Sequence, residues 1–158
     1  MHVADVGVFH EDLEKIDAGS FICFIFSSQI FFGIVLISDS GPLILVLDHP
    51  QVGEASVLGG SLLQGPFFLY ADATIVPDVR SLNLVRTGDR MPPGKLVRTK
   101  DGLALCGHFN AKNNLRFFDV QTGRVMDARD HAPFYASWKI VQPGRDGKDV
   151  VLWPVVDR

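Results

Sequence analysis

The histidines, carboxylates and thiols are the residues that could do chemistry in this chain. His108, Asp130 and His131 form one candidate set, with Asp127 beside the latter two and a further Asp48-His49 pair. Imidazole and carboxylate are usual ligands of divalent metals. No spacing typical of a metal site joins these residues, and neighbours on an extended chain point to opposite faces, so they do not readily share one ion. The expectation is therefore no metal and no cofactor, with these histidines at the surface or hydrogen-bonded.

Cys106 and His108 are two apart and, on a strand, share a face. Their backbones then stand roughly 7 Å apart, which is loose for a thiol and its general base. There is no Gly-x-Ser-x-Gly elbow, and Ser27, Ser28, Ser38 and Ser40 lie by turns with no assignable base. The glycines between Gly53 and Gly65 lack the lysine and following helix of a phosphate loop, and Gly59-Gly60 reads as a turn.

A third constellation is electrostatic. Arg86, Arg90, Lys95, Arg98, Lys100, Lys112, Arg116 and Arg124 lie close together, opposed by Asp89, Asp101 and Asp119, with Phe109, Phe117 and Phe118 interleaved. Basic side chains neutralise phosphates and exposed aromatics stack on bases. Arg98, Lys100, His108, Lys112 and Arg116 are thus the candidate ligand-binding or nucleic-acid-binding residues, within a basic segment 80–129. If the phenylalanines are core, the same charges are only a solvated face. The net charge of −3 also opposes a strong phosphate-attracting field.

That charge is unevenly divided. Residues 1–79 hold one basic residue, Lys15, and ten acidic ones, whereas residues 80–158 hold 14 basic and 8 acidic ones. Such asymmetry accompanies nucleic-acid or membrane contact, or attraction between halves of one fold or between two copies. Interleaving of strands from the two halves would erase it.

The elements that must position these groups read as strands. Hydrophobic residues make up 47% of the 158, enough for one folded domain spanning 1–158. Phe21–Phe26, Ile30–Ile37 and Leu43–Leu47 are apolar at consecutive positions, so both faces need cover. The uncharged stretch between Asp17 and Asp39 is long enough to span a bilayer, but Ser27-Ser28-Gln29 interrupts it, and two buried strands around a turn account for it better. Val3–Phe9 reads as an edge strand, and His10–Ile16 as one or two helical turns. Shorter strands follow at Ala55–Leu58, Phe67–Tyr70, Thr74–Val76 and Leu82–Arg86, and the Met91-Pro92-Pro93-Gly94 break ends this series.

Leu96–Lys100 and Leu103–Phe109 flank a turn. A three-residue loop, Lys100-Asp101-Gly102, places Val97, Thr99, Leu103, Leu105 and Phe109 on an inner face, and Arg98, Ala104, Cys106 and His108 on a polar one. Asn110–Asn114 reads as a turn and Leu115–Val120 as a strand. Gln121-Thr122-Gly123 then returns the chain into Arg124–Met126. The run from Phe118 to Val125 has the pattern of a propeller-blade hairpin, but in one copy, and propellers require repeats. Trp138–Gln142 and Val150–Val155 form a last hairpin with an exposed tip.

These elements predict an all-β fold, a small antiparallel barrel or a two-sheet sandwich with at most one short helix. Cys23 and Cys106, both in apolar runs, are expected as reduced, buried thiols of a cytoplasmic protein. The acidic, mixed start has no basic region before an apolar stretch, so no signal peptide is expected, and no membrane span. The phenylalanine-rich strands and the overall apolar balance suggest that some surface goes into a homodimer. For function, the leading expectation is a non-enzymatic binding or assembly module. The alternatives are a nucleic-acid-binding β-domain, and a small hydrolase or metal-dependent enzyme using His108, Asp130 and His131.

Overall fold

The computed structural model describes residues 7–48, 55–59, 63–85, 91–109, 111–126 and 132–154, the side chains of residues 111–113 excepted. The fold is all-β. In chain order the strands are β1 (Gly7–His10), β2 (Phe21–Phe26), β3 (Gln29–Ser38), β4 (Gly41–Val46), β5 (Ser56–Gly59), β6 (Phe67–Tyr70), β7 (Thr74–Pro77), β8 (Leu82–Asn83), β9 (Leu96–Thr99), β10 (Gly102–Phe109), β11 (Ala111–Asp119), β12 (Val125–Met126), β13 (Phe134–Tyr135), β14 (Trp138–Pro143) and β15 (Asp149–Trp153). The helical pieces among the described residues are single 3₁₀ turns at Leu13–Lys15 and Val79–Ser81. None is long and apolar enough to cross a membrane.

Twelve strands form one large sheet, and β15-β14-β7 form a second. The long uncharged stretch folds as the β2–β3 hairpin. Phe26 pairs with Gln29, and Ser27 and Ser28 both take left-handed φ, 48° and 64°. That is the turn whose twist matches a two-residue hairpin. The consecutive apolar residues are explained by cover on both faces. Phe21, Cys23, Ile34, Leu36 and Leu45 enter one core, while Ile22, Phe24, Val35, Ile44 and Val46 enter a second, capped by Leu13, Ile16 and Leu63.

The large sheet is open as a ladder, yet it curls. β5 joins β10 through Ser56 and His108 in a parallel pairing, a departure from the all-antiparallel expectation. Beyond β11, the turn before β12 comes back to β3, where the Ile37 amide donates to the Gly123 carbonyl at 2.9 Å. Strands β3, β4, β5, β10 and β11 thus surround a core holding Ile34, Leu36, Leu45, Leu105 and Phe118, and the small sheet covers its open side with Trp138 and Ile140. Barrel-like and sandwich-like features therefore coexist.

Two local expectations are corrected. Thr99 pairs with Gly102 and Val97 with Ala104, so the β9–β10 loop is Lys100-Asp101, with Gly102 in the second strand. The Thr99 hydroxyl accepts from the Asp101 amide at 3.3 Å and donates to the Gly102 carbonyl at 3.1 Å, closing the tighter turn. Val97 consequently faces with Ala104 and Cys106, away from Leu105, and that face is no polar surface. Met91, Val97, Ala104, Cys106 and Phe117 form a third core there. Second, Asn110–Asn114 is not simply a turn, because β11 begins at Ala111. The polar residues are absorbed as a register shift, Phe109 pairing with Ala111 and His108 with Leu115.

Strands β1 to β6 lie together on one side of the β5–β10 junction, and β8 to β13 on the other. The acidic and basic halves of the chain are not interleaved in the large sheet.

Candidate functional site

The sequence-derived candidates do not converge. Arg98 is exposed on β9 opposite Leu103, and Arg116 is exposed on β11 opposite Gly107. Leu103 and Gly107 are four apart on β10, so the two arginines share a sheet face but flank β10 on opposite sides. Lys100 is exposed in the β9–β10 loop. Phe117 and Phe118 are 8% and 1% exposed, buried in separate cores, and offer no stacking surface. Lys112 lies on β11, its side chain outside the described residues, as are Asp130, His131, His49, Arg86 and Arg90. Among the described residues no group of three or more His, Cys, Asp or Glu could hold a metal.

His108 was expected on a polar hairpin face. It is 6% exposed instead, its amide donating to the Ala55 carbonyl at 2.9 Å at the β5–β10 junction. Its position is that of a packed residue at the seam of the sheet. Cys23 and Cys106 are buried thiols that form no disulfide. Cys106 sits in the third core, away from Cys23. Tyr70 Oη donates to Cys23 Sγ at 3.5 Å, and burial pushes both the thiol and the phenol upward, the contact offsetting part of the thiol's rise.

What the fold does assemble is a cleft between the two sheets. Its volume is about 430 Å³, within the range of small-molecule sites. Phe21 and Ile34 come from β2 and β3, Leu103 from β10, Val120 from the end of β11, and Ile75 and Ile140 from the small sheet. Thr74, Asp119 and Gln121 supply polar groups. A smaller cleft continues from it past Ser20, Tyr70 and Asp72, sharing Gly19, Phe21, Ala73 and Gln121.

Asp119 is held by its own turn. Its Oδ1 accepts from the Gln121 and Thr122 amides, each at 2.8 Å, and its backbone carbonyl accepts from the Gly123 amide at 2.9 Å. An aspartate followed by such a turn is an Asx-turn, and it pre-organises the carboxylate. Oδ2 has no partner among the described residues. The turn is pressed against the 18–20 segment so closely that only glycine fits: a Cβ on Gly19 would fall 2.1 Å from the Gln121 carbonyl oxygen.

Among the described residues, Asp119 is the only ionisable one lining the main cleft, Asp72 is the other carboxylate of the continuous space, and no histidine, cysteine, lysine or arginine lines either part. The lining therefore offers apolar contact, hydrogen bonding and negative charge. Sequence reasoning missed Asp119, counting it only as a charge opposing the basic segment. The Asp-x-x-x-Gly turn pattern was the available signal, but the cleft's other walls come from residues up to about a hundred positions away. Comparison with known proteins finds nothing similar: no protein-family model, no curated protein and no solved structure matches this chain.

Proposed function

We propose that this chain is a non-enzymatic binding module whose inter-sheet cleft holds a small, largely apolar ligand carrying an amine or similar cationic donor. The observation that supports it is the pairing of apolar walls, Phe21, Ile34, Leu103 and Ile140, with one pre-organised carboxylate, Asp119, and no basic group among the described residues. Apolar walls supply affinity, and a few fixed polar groups supply orientation. A carboxylate already tied to two amides loses little freedom on binding, and an ammonium approaching Oδ2 makes a charge-assisted bond.

The test is calorimetric titration with a matched series, one apolar framework bearing an amine, a hydroxyl or a carboxylate. The amine is expected to bind saturably and at least about tenfold more tightly than the carboxylate, the scale of a 1.4 kcal/mol preference. Leu103→Trp, which fills the cleft, abolishes the binding. Preference for the carboxylate, or binding indifferent to Leu103→Trp, overturns the reading.

A further inference from the structure

Among the described residues, strand β1 is the end strand of the large sheet, paired on one side to β6. Its sequence, Gly-Val-Phe-His, contains no lysine or proline, and its pairing with β6 is regular, without a bulge. Those are among the devices that keep an edge from accepting another strand, and β1 carries a different one, its length of four residues. Val8 and Phe9 point to opposite faces and are 53% and 54% exposed.

Apolar residues continue inward from this edge. Half-exposed Phe9 meets Phe68 edge-on with ring centroids 6.0 Å apart, and partly buried Phe68, buried Cys23 and partly buried Phe32 follow in register across β6, β2 and β3. Ile25 and Ile30, 50% and 43% exposed, form the next row on the same face. An exposed apolar strip beside a free backbone edge marks an interaction surface.

Charge selects the occupant. Glu11 follows β1 directly and is exposed. At the other end Gly7 lies opposite Tyr70, and exposed Asp72 stands two residues beyond Tyr70. Further along the chain Glu14 and Asp17 are exposed, with exposed Lys15, the only lysine or arginine in the first 79 residues, between them. A second copy presenting its own β1 would bring these same carboxylates against themselves, which like charges oppose.

We infer that β1 captures, by strand addition, an extended segment of another protein that alternates apolar residues and carries lysine or arginine at its ends. Backbone pairing to β1 supplies affinity, side chains over Val8 and Phe9 supply register, and the basic ends meet Glu11 and Asp72. This surface shares Asp72 with the smaller cleft, but Val8, Phe9 and Glu11 line neither part of it, and the strand capture stands or falls independently of the cleft's ligand.

The experiment is fluorescence anisotropy on the full chain with labelled peptides of alternating valine and threonine, flanked by two lysines or by two glutamates at each end. The lysine-flanked peptide is expected to bind saturably, at least tenfold more tightly than its glutamate-flanked match, and more weakly as salt rises. Phe9→Lys lowers its affinity at least tenfold with unchanged circular dichroism. Glu11→Lys narrows or reverses the preference between the two peptides. Amide exchange at residues 7–10 slows on binding, which loose electrostatic attraction would not produce, and Leu103→Trp leaves all of this intact. Failure of both peptides to bind the wild-type chain overturns the inference, as does equal binding of the two. Sedimentation showing a wild-type dimer that Phe9→Lys dissolves also overturns it, by assigning the edge to a second copy.

Discussion

The Ile37 amide donates to the Gly123 carbonyl at 2.9 Å, and this bond carries the β11–β12 turn across to the end of β3. Gly123 has φ of 66°, and a Cβ there would lie 2.6 Å from the Val35 carbonyl oxygen and 2.9 Å from the Ala18 side chain. Gly147, in the exposed β14–β15 tip, has a similar φ of 76° but open space around it. Gly147→Ala is expected to cost about 1 kcal/mol from the left-handed backbone alone. Gly123→Ala adds a clash with backbone that cannot move aside, and should cost about 3 kcal/mol or more. Urea denaturation of the two variants separates conformational preference from closure.

Alkaline stability follows from Tyr70 and Cys23. Burial raises the Cys23 thiol from its ordinary 9.0 and the Tyr70 phenol from its ordinary 10.0. Both groups are neutral when protonated, so between the unfolded and folded pKa the native state holds more protons than the unfolded one. Stability from this pair is complete below about pH 9 and is lost as pH climbs above the ordinary thiol and phenol values. Tyr70→Phe should flatten the upper part of that loss, and Cys23→Ala the lower part, in thermal midpoints recorded from pH 7 to 11. Parallel curves for wild type and both variants would contradict this origin.

Asp119 separates recognition from stability. Asp119→Asn keeps an oxygen able to accept from the Gln121 and Thr122 amides, so folding stability should change by less than about 0.5 kcal/mol. Affinity for a cationic ligand should fall about tenfold or more with the charge removed. Asp119→Ala loses the turn as well and should destabilise by about 1–2 kcal/mol. Calorimetry and urea melts on the same preparations distinguish the two substitutions.

The chain's two tryptophans meet across β14 and β15, their ring centroids 4.4 Å apart, and Trp138 Nε1 donates to the Gly94 carbonyl at 2.9 Å. Trp138→Phe removes that donor and some packing under the small sheet, at an expected cost of about 2 kcal/mol. Near-ultraviolet circular dichroism should lose its paired-indole signal in Trp138→Phe and in Trp153→Phe alike, with only the former losing the bond to Gly94.

The residues of β2, β3 and β4 were readable as strands because unbroken apolar runs must be covered on both sides, and the structure covers them with Leu13, Ile16 and Leu63 on one side and the small sheet on the other. Ser27-Ser28 and Asp39-Ser40 were equally readable, since turn chemistry is local. The β9–β10 register was not. The two-residue loop Lys100-Asp101 competes with the three-residue loop Lys100-Asp101-Gly102, and the one-residue difference was decided by the third core, which needed Val97 beside Cys106 and Phe117. Asn110–Asn114 failed for a related reason: pairing to β10 overrode a turn-like composition.

Sequence by itself therefore determined the all-β class, most strand positions and the buried, disulfide-free thiols of Cys23 and Cys106, because alternation, apolar runs and turn residues act over a few neighbours. It also held the charge asymmetry, but not its layout. Only the tertiary structure decided that the two charged halves lie apart in the large sheet, that β5 meets β10 in parallel, and that Phe21, Leu103, Asp119 and Ile140 share one cleft. Those outcomes depend on pairings between distant segments, and such pairings are selected by how whole faces pack rather than by any local preference.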